Sequence, residues 1–184
     1  MLWSFVGAGA LLGRVDTETD QRPVIALDAM GGDHAPEATV DGAVLAVERL
    51  GVVVTLFGDE STLRPLVAKR QVDPALLTIV HAPETIGMDE HAGAAVRRRR
   101  QTSMQLVVDA VKSGHAGAGV SAGNSGAFFA TGLFTLGRIP GVDRPALATV
   151  FPTIQGIALL LDVGANVECK AQQLVEFAHT GSVY

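Results

Sequence analysis

The chain has 184 residues, with 14 Lys or Arg against 19 Asp or Glu, a formal net charge of −5. That length suits one domain, or one and a fraction, and a hydrophobic content of 48% is too high for a disordered chain. The acidic balance argues against a nucleic-acid-binding protein, and the single cysteine, Cys169, excludes a disulfide framework and a cysteine-based metal cluster.

Residues 1–23 differ in composition from the rest of the chain. An apolar, Gly/Ala-rich stretch ends at Gly13, and a polar stretch without periodicity follows. No basic residue precedes the apolar stretch, so a secretory signal is not indicated. We expect a loose N-terminal extension or translation from an upstream start codon, followed by an α/β domain over residues 24–184.

From residue 24 onward, strand-like and helix-like segments alternate. Strands are predicted over residues 24–28, 52–58, 77–81, 118–121, 146–151 and 157–162, and helices over residues 36–50, 61–70, 103–113, 125–136 and 169–179. This alternation predicts a three-layer α/β fold, with a parallel or mixed sheet covered by helices on both faces. Ligands in such folds bind beyond the carboxyl ends of strands, here the turns at residues 29–36, 122–125 and 163–166.

The turn over residues 121–127, Ser-Ala-Gly-Asn-Ser-Gly-Ala, joins a predicted strand to a predicted helix. Gly123 and Gly126 allow close backbone approach to a ligand, and the free N–H groups of a helix start attract anions. With side-chain donors from Asn124 and Ser125, the turn predicts a phosphate or oxyanion site. The alternative is that Asn124 or Ser125 only caps the helix.

A second interpretation of the same turn is a nucleophile elbow. Residues 119–123 match G-x-S-x-G with Ser121 at the centre, and Asp143, Asp162 and His179 follow in the order of a hydrolase triad. A serine hydrolase using Ser121 is therefore an alternative function.

The turn after the first predicted strand contains Asp33 and His34 beside a Gly-Gly pair. Either side chain could act as a general base. The alternative is that Asp33 bonds to neighbouring backbone and orders the turn.

Four consecutive arginines, residues 97–100, form the strongest charge feature of this acidic chain. On a helix they would spread over most of its circumference, so one or two could reach a phosphate while the others bind an acidic partner. The alternative is a solvated surface run.

A further turn follows the last predicted strand. Asp162 and Asn166 could hold a ligand there or only order the loop, and Cys169 begins a predicted helix, a position that can lower a thiol pKa. A covalent role for Cys169 is one possibility, and a small buried hydrophobe is the other. The five histidines lack metal-ligand spacing, so no metal site is expected.

Four segments together carry a family resemblance. They are Asp-Ala-Met-Gly-Gly-Asp at 28–33 followed by Ala35-Pro36, residues 121–127, Gly-Arg-Ile-Pro-Gly-Val-Asp-Arg-Pro-Ala at 137–146, and Leu-Leu-Asp-Val-Gly-Ala-Asn at 160–166. In this order they resemble the bacterial phosphate acyltransferases of the PlsX type, over residues 24–184.

The resemblance implies transfer of a fatty acyl group from acyl carrier protein to inorganic phosphate, giving acyl phosphate for phospholipid synthesis. It implies a cytoplasmic homodimer with peripheral membrane contact, no cofactor and no metal. The implied fold is similar to phosphotransacetylases and to isocitrate and isopropylmalate dehydrogenases. Family members are about twice as long, so we expect this chain to be an N-terminal portion, with a non-catalytic phosphate- or carrier-binding fragment as an alternative.

Combined with the residues, this predicts a site in which the N–H groups of residues 124–126 hold phosphate. Asp33 or His34 gives weak base assistance, and the oxyanion is stabilised by the same donors or by Asn166. The other predicted substrate-binding residues are Ser121, Gly123, Arg99, Arg100 and Asp162. Ser125 stands where the family usually has Thr, and Arg99 and Arg100 where Lys is common.

Overall fold

The computed structural model describes residues 4–7, 22–91, 93, 101–164 and 168–183. The chain divides into two compact units, Met1–Leu136 and Gly137–Tyr184. In the described residues no helix is both long enough and apolar enough to cross a membrane.

The first unit contains a five-stranded sheet in its described part. The strands are β1 Ser4–Gly7, β2 Val24–Asp28, β3 Val53–Gly58, β4 Leu77–His81 and β5 Ala118–Ser121. Their spatial order is β1-β5-β2-β3-β4, in which the four strands from β5 to β4 are parallel and β1 pairs antiparallel at the edge. The helices are α1 Glu37–Leu50, α2 Glu60–Ala68, α3 Ser103–Lys112 and α4 Ser125–Leu136.

Helices cover both faces of this sheet. Neighbouring strand residues point to opposite faces, and Ala26 joins the hydrophobic cluster formed with α3 and α4, whereas Leu27 joins the cluster formed with α1 and α2. Val107 and Phe128 are buried in the first cluster. The predicted α/β fold with helices on both faces is confirmed, and its closer kinship to particular dehydrogenases or transacetylases stays a prediction.

One strand of the N-terminal segment is not predicted by the sequence. The backbone of Ser4–Gly7 pairs with Ala118–Ser121, with Ser4 opposite Ser121. Four residues are too few to display a strand period. The division between an extension and a domain at residue 24 stays a prediction.

The second unit consists, in its described part, of a hairpin and a helix. Strands β6 Ala148–Thr153 and β7 Gly156–Leu161 pair antiparallel, and α5 Ala171–Val183 follows. Both strands were expected, but their assignment to the parallel sheet is wrong for the described residues. The reason is the turn over residues 154–155, since a parallel connection needs a crossover of about a dozen residues or more.

Candidate functional site

The strand order reverses between β5 and β2, the position at which open α/β sheets bind ligands in a crevice. The chain runs from β2 to β3 and β4 on one side, and β5 lies on the other side of β2. Helix α1, which follows β2, packs on one sheet face, and α4, which follows β5, packs on the opposite face. From the carboxyl ends of β2 and β5 the two connecting loops therefore lead to helices on opposite faces of the sheet. We call residues 29–34 and 122–124 the crevice loops.

Asp28, the last residue of β2, is a buried carboxylate at the base of this crevice. Its side chain accepts hydrogen bonds from the Met30 N–H at 3.2 Å and the Ser121 hydroxyl at 2.7 Å. Burial raises the pKa of Asp28, against the opposing effect of hydrogen bonds from Ser103, Ser121 and the Met30 and Gly31 backbone. The sequence analysis gave Asp28 no role of its own. The available signal was a carboxylate placed directly at the end of an apolar strand.

The crevice loops approach each other most closely at two glycines. A Cβ on Gly31 would lie 2.5 Å from Oδ2 of Asp28 and 2.9 Å from the Gly123 nitrogen. Gly32 has a φ of 113°, a conformation that favours glycine, and a Cβ there would lie 3.2 Å from that of Ala122. The close packing of the two loops therefore requires glycine at both positions.

Ser121 links the two strand ends. Its buried hydroxyl donates to Asp28 and accepts the Gly123 N–H at 3.1 Å. The group that holds this hydroxyl is a carboxylate instead of the imidazole that a serine nucleophile requires. Asp143, Asp162 and His179 belong to the second unit. The geometry gives no support to the serine hydrolase alternative, and the N–H of Gly123 is already bonded within the protein.

Both polar atoms of the Asn124 side chain form hydrogen bonds within the protein. Its Oδ1 accepts the Ala127 N–H at 3.0 Å, which makes Asn124 the cap of α4. Its Nδ2 donates to the carbonyls of Met88 at 3.0 Å and Glu90 at 2.9 Å. The capping interpretation is therefore confirmed, and Asn124 also holds residues 87–90 beside the start of the helix.

The first residues of α4 have a different environment. Ser125 and Gly126 are exposed, and the capping bonds of Asn124 go to Ala127 and Phe128 instead. Within the described part of the chain, no acceptor takes the N–H of Ser125 or Gly126. Two amide donors at the positive end of a helix dipole thus face solvent beside the crevice, an arrangement suited to an anion.

Asp33 and His34 lie exposed on the other crevice loop. The Thr39 hydroxyl fixes this loop by donating to the Ala29 carbonyl at 2.6 Å. Asp33 follows Gly32, which approaches Ala122. Both predicted base residues therefore lie on the loop that contacts the turn before α4.

Among the remaining predicted site residues, Asp162 alone falls within the described part of the chain. Arg99, Arg100 and Asn166 fall outside the described residues. Asp162 lies in the second unit, at a positive φ of 64°, and accepts a hydrogen bond from the Cys169 thiol at 3.1 Å. No group of three or more His, Cys, Asp or Glu suited to a metal ion occurs among the described residues.

The expectation of a lowered thiol pKa at Cys169 is wrong. The hydrogen bond to Asp162 raises this pKa, with burial and the negative charge of Asp162 acting in the same direction. Helix α5 begins two residues later than predicted, at Ala171, so Cys169 lies before the helix instead of in its first turn.

Comparison with known proteins identifies a matching family and several relatives. A family model described as a fatty acid synthesis protein matches residues 24–184. The phosphate acyltransferase of Geobacter sulfurreducens is 51% identical over 160 residues, which are 87% of this chain and 46% of that protein. The phosphate acyltransferases of Herpetosiphon aurantiacus and Myxococcus xanthus are 51% and 52% identical, over 87% of this chain and 44% and 46% of their own lengths. The chain spans about half the length of these curated relatives.

Proposed function

This chain belongs to the fatty acid synthesis protein family, and we propose that it forms the phosphate-binding part of a phosphate acyltransferase. In the proposed reaction an oxygen of inorganic phosphate attacks the carbonyl carbon of an acyl thioester. The carbon–sulfur bond then breaks, and acyl phosphate and a free thiol leave. The observation that carries this proposal is the pair of exposed, unbonded amides of Ser125 and Gly126, within the described residues, at the reversal point of the sheet.

Phosphate binding is assigned to those amides. They face solvent at the N-terminus of α4, where the helix dipole favours negative charge. The Ser125 hydroxyl adds a third donor on the same turn. Asn124 acts here as a positioning residue, since its side-chain amide donates to the carbonyls of residues 88 and 90. Arg99 and Arg100 are proposed as further phosphate contacts from the sequence alone.

The attack needs little help from a base. The second ionisation of phosphate lies near neutrality, so the dianion is already a nucleophile, and in the proposal Asp33 or His34 on the other crevice loop receives the remaining proton. The carbonyl oxygen becomes negative in the transition state and is stabilised by fixed donors. In the proposal these donors are the α4 amides.

The acyl donor is proposed to be acyl carrier protein, in keeping with the sequence resemblance. The acidic carrier would meet the arginines at 97–100, so added salt is expected to weaken its binding. We further propose that the protein acts in the cytoplasm as a homodimer with peripheral membrane contact. These parts of the proposal rest on the resemblance.

The test removes one of the two proposed amide donors, the N–H of Ser125. Ser125→Pro deletes the N–H and the hydroxyl at the first helical position, where proline is well tolerated, and Ser125→Ala deletes only the hydroxyl. We expect Ser125→Pro to raise the KM for phosphate in phosphate-dependent thiol release by about tenfold or more, and Ser125→Ala by less. Equal KM values for Ser125→Pro and wild type would overturn the assignment. Phosphate binding by the wild type without thiol release would favour a binding fragment over an enzyme.

A further inference from the structure

Two consecutive hydrogen bonds join Gly123, Ser121 and Asp28 beneath the crevice loops. The Gly123 N–H donates to Oγ of Ser121 at 3.1 Å, and the Ser121 hydroxyl donates in turn to Oδ2 of Asp28 at 2.7 Å. Because the Ser121 hydroxyl is buried, its proton needs an acceptor within the protein. Oδ2 of Asp28 is that acceptor.

The same carboxylate also controls the other crevice loop. Its Oδ1 accepts the Met30 N–H, and Oδ2 lies so near Gly31 that any side chain there would collide with it. Asp28 thus contacts the first residues of one loop directly and the other loop through Ser121. A buried carboxylate is costly unless it is fully hydrogen-bonded.

Both loops carry proposed functional groups. Gly123 immediately precedes Asn124, which caps α4 and so orients the Ser125 and Gly126 amides, while the loop beginning at Ala29 carries Asp33 and His34. We infer that Asp28 is a positioning residue for phosphate, which fixes the α4 amides relative to the opposite loop through Ser121 and Gly31. This inference rests on the proposed function.

Asp28→Asn tests the direction of the bonds while keeping size and shape. Asparagine offers one acceptor, so either Met30 or Ser121 faces an N–H donor instead of an oxygen. We expect the KM for phosphate to rise about tenfold or more, with the KM for the acyl donor changed less than about twofold. A purely structural role would reduce the fraction of active enzyme and leave both KM values unaltered.

Two further variants keep the test decisive if Asp28→Asn folds poorly. Ser121→Ala interrupts the same bonds from the other end, and we expect the same selective rise in the KM for phosphate. Ser103→Ala removes a buried hydroxyl at the start of α3 that lowers the pKa of the same carboxyl, but it leaves the bonds from Gly123 to Asp28 intact. This control is expected to lose stability without changing the KM for phosphate more than about twofold.

The outcomes separate the inference from the proposed function. An active wild type whose KM for phosphate is unchanged in Asp28→Asn and Ser121→Ala overturns the inference alone. A wild type without phosphate-dependent thiol release overturns the proposed function. In that case calorimetric binding of inorganic phosphate to the same variants decides the inference, with about tenfold weaker binding supporting it and equal affinity overturning it.

Discussion

The Ser121 hydroxyl donates a hydrogen bond of 2.7 Å to Oδ2 of Asp28, although the two residues are 93 positions apart in the chain. This bond joins the carboxyl ends of the two strands between which the sheet order reverses. It places a buried acid beneath the turn that opens into α4. The stability of the protein and the geometry of the proposed phosphate site are therefore linked through one carboxylate.

The first prediction concerns the pH dependence of stability. Burial raises the pKa of Asp28 above 3.8, so the folded state binds this proton more tightly than the unfolded state. The resulting stabilisation is complete below pH 3.8 and is lost as the pH rises through the raised pKa. Asp28→Asn cannot titrate, so its free energy of unfolding relative to wild type should increase across this range, as measured by urea denaturation at a series of pH values. A constant difference would contradict the assignment.

Gly31 should tolerate no side chain. A Cβ there would meet Oδ2 of Asp28 and the Gly123 nitrogen, so Gly31→Ala should destabilise the protein by about 1–3 kcal/mol in urea denaturation. The matched control is Gly42→Ala in α1, where nothing lies within 4 Å of the added carbon. This change should stabilise by about 0.5–1 kcal/mol, because alanine favours helix. Equal effects at the two positions would show that the close approach is unimportant.

Asn124 should matter for stability in two separable ways. Asn124→Ala removes both the cap of α4 and the bonds to residues 88 and 90, and a loss of about 1–3 kcal/mol is expected. Asn124→Ser keeps a capping oxygen and should recover part of that loss. Amide hydrogen exchange at residues 87–91 should accelerate in both variants. Unchanged exchange there would mean that the bonds from Asn124 do not hold the segment.

The reactivity of Cys169 gives a test within the second unit. The hydrogen bond to Asp162 raises the pKa of the thiol, which lowers the thiolate fraction that attacks disulfide reagents. Cys169 should therefore react with a chromogenic disulfide at pH 8 more slowly than a cysteine in a short peptide. Asp162→Asn should accelerate the reaction, and asparagine also accepts the positive φ at this position. A slower reaction in Asp162→Asn would contradict the role of the carboxylate.

Local sequence patterns were sufficient for most elements of the first unit. Helix α1 ends at Leu50, before the left-handed Gly51, as its composition indicates. The pattern could not place β6 and β7, because it identifies strands without their pairing partners. The short turn over residues 154–155 makes them a separate hairpin.

The site was predictable only in outline. The turn at residues 121–127 and the loop containing Asp33 were recognised because they follow strands in a Gly-rich context. The bond between Ser121 and Asp28 was not, since it depends on the order of the strands and not on local spacing. For the same reason the sequence does not indicate the hydrogen bonds from Asn124 to residues 88 and 90. These bonds occupy the side-chain amide of Asn124 within the protein.

Phosphate binding by the amides at the start of α4 can be followed residue by residue in an NMR titration. With 15N-labelled protein, added inorganic phosphate should shift the Ser125 and Gly126 amide resonances in a saturable manner. Gly123 should move less, because its N–H is bonded to Ser121. Saturable shifts confined to other parts of the chain, with Ser125 and Gly126 unmoved, would contradict the account.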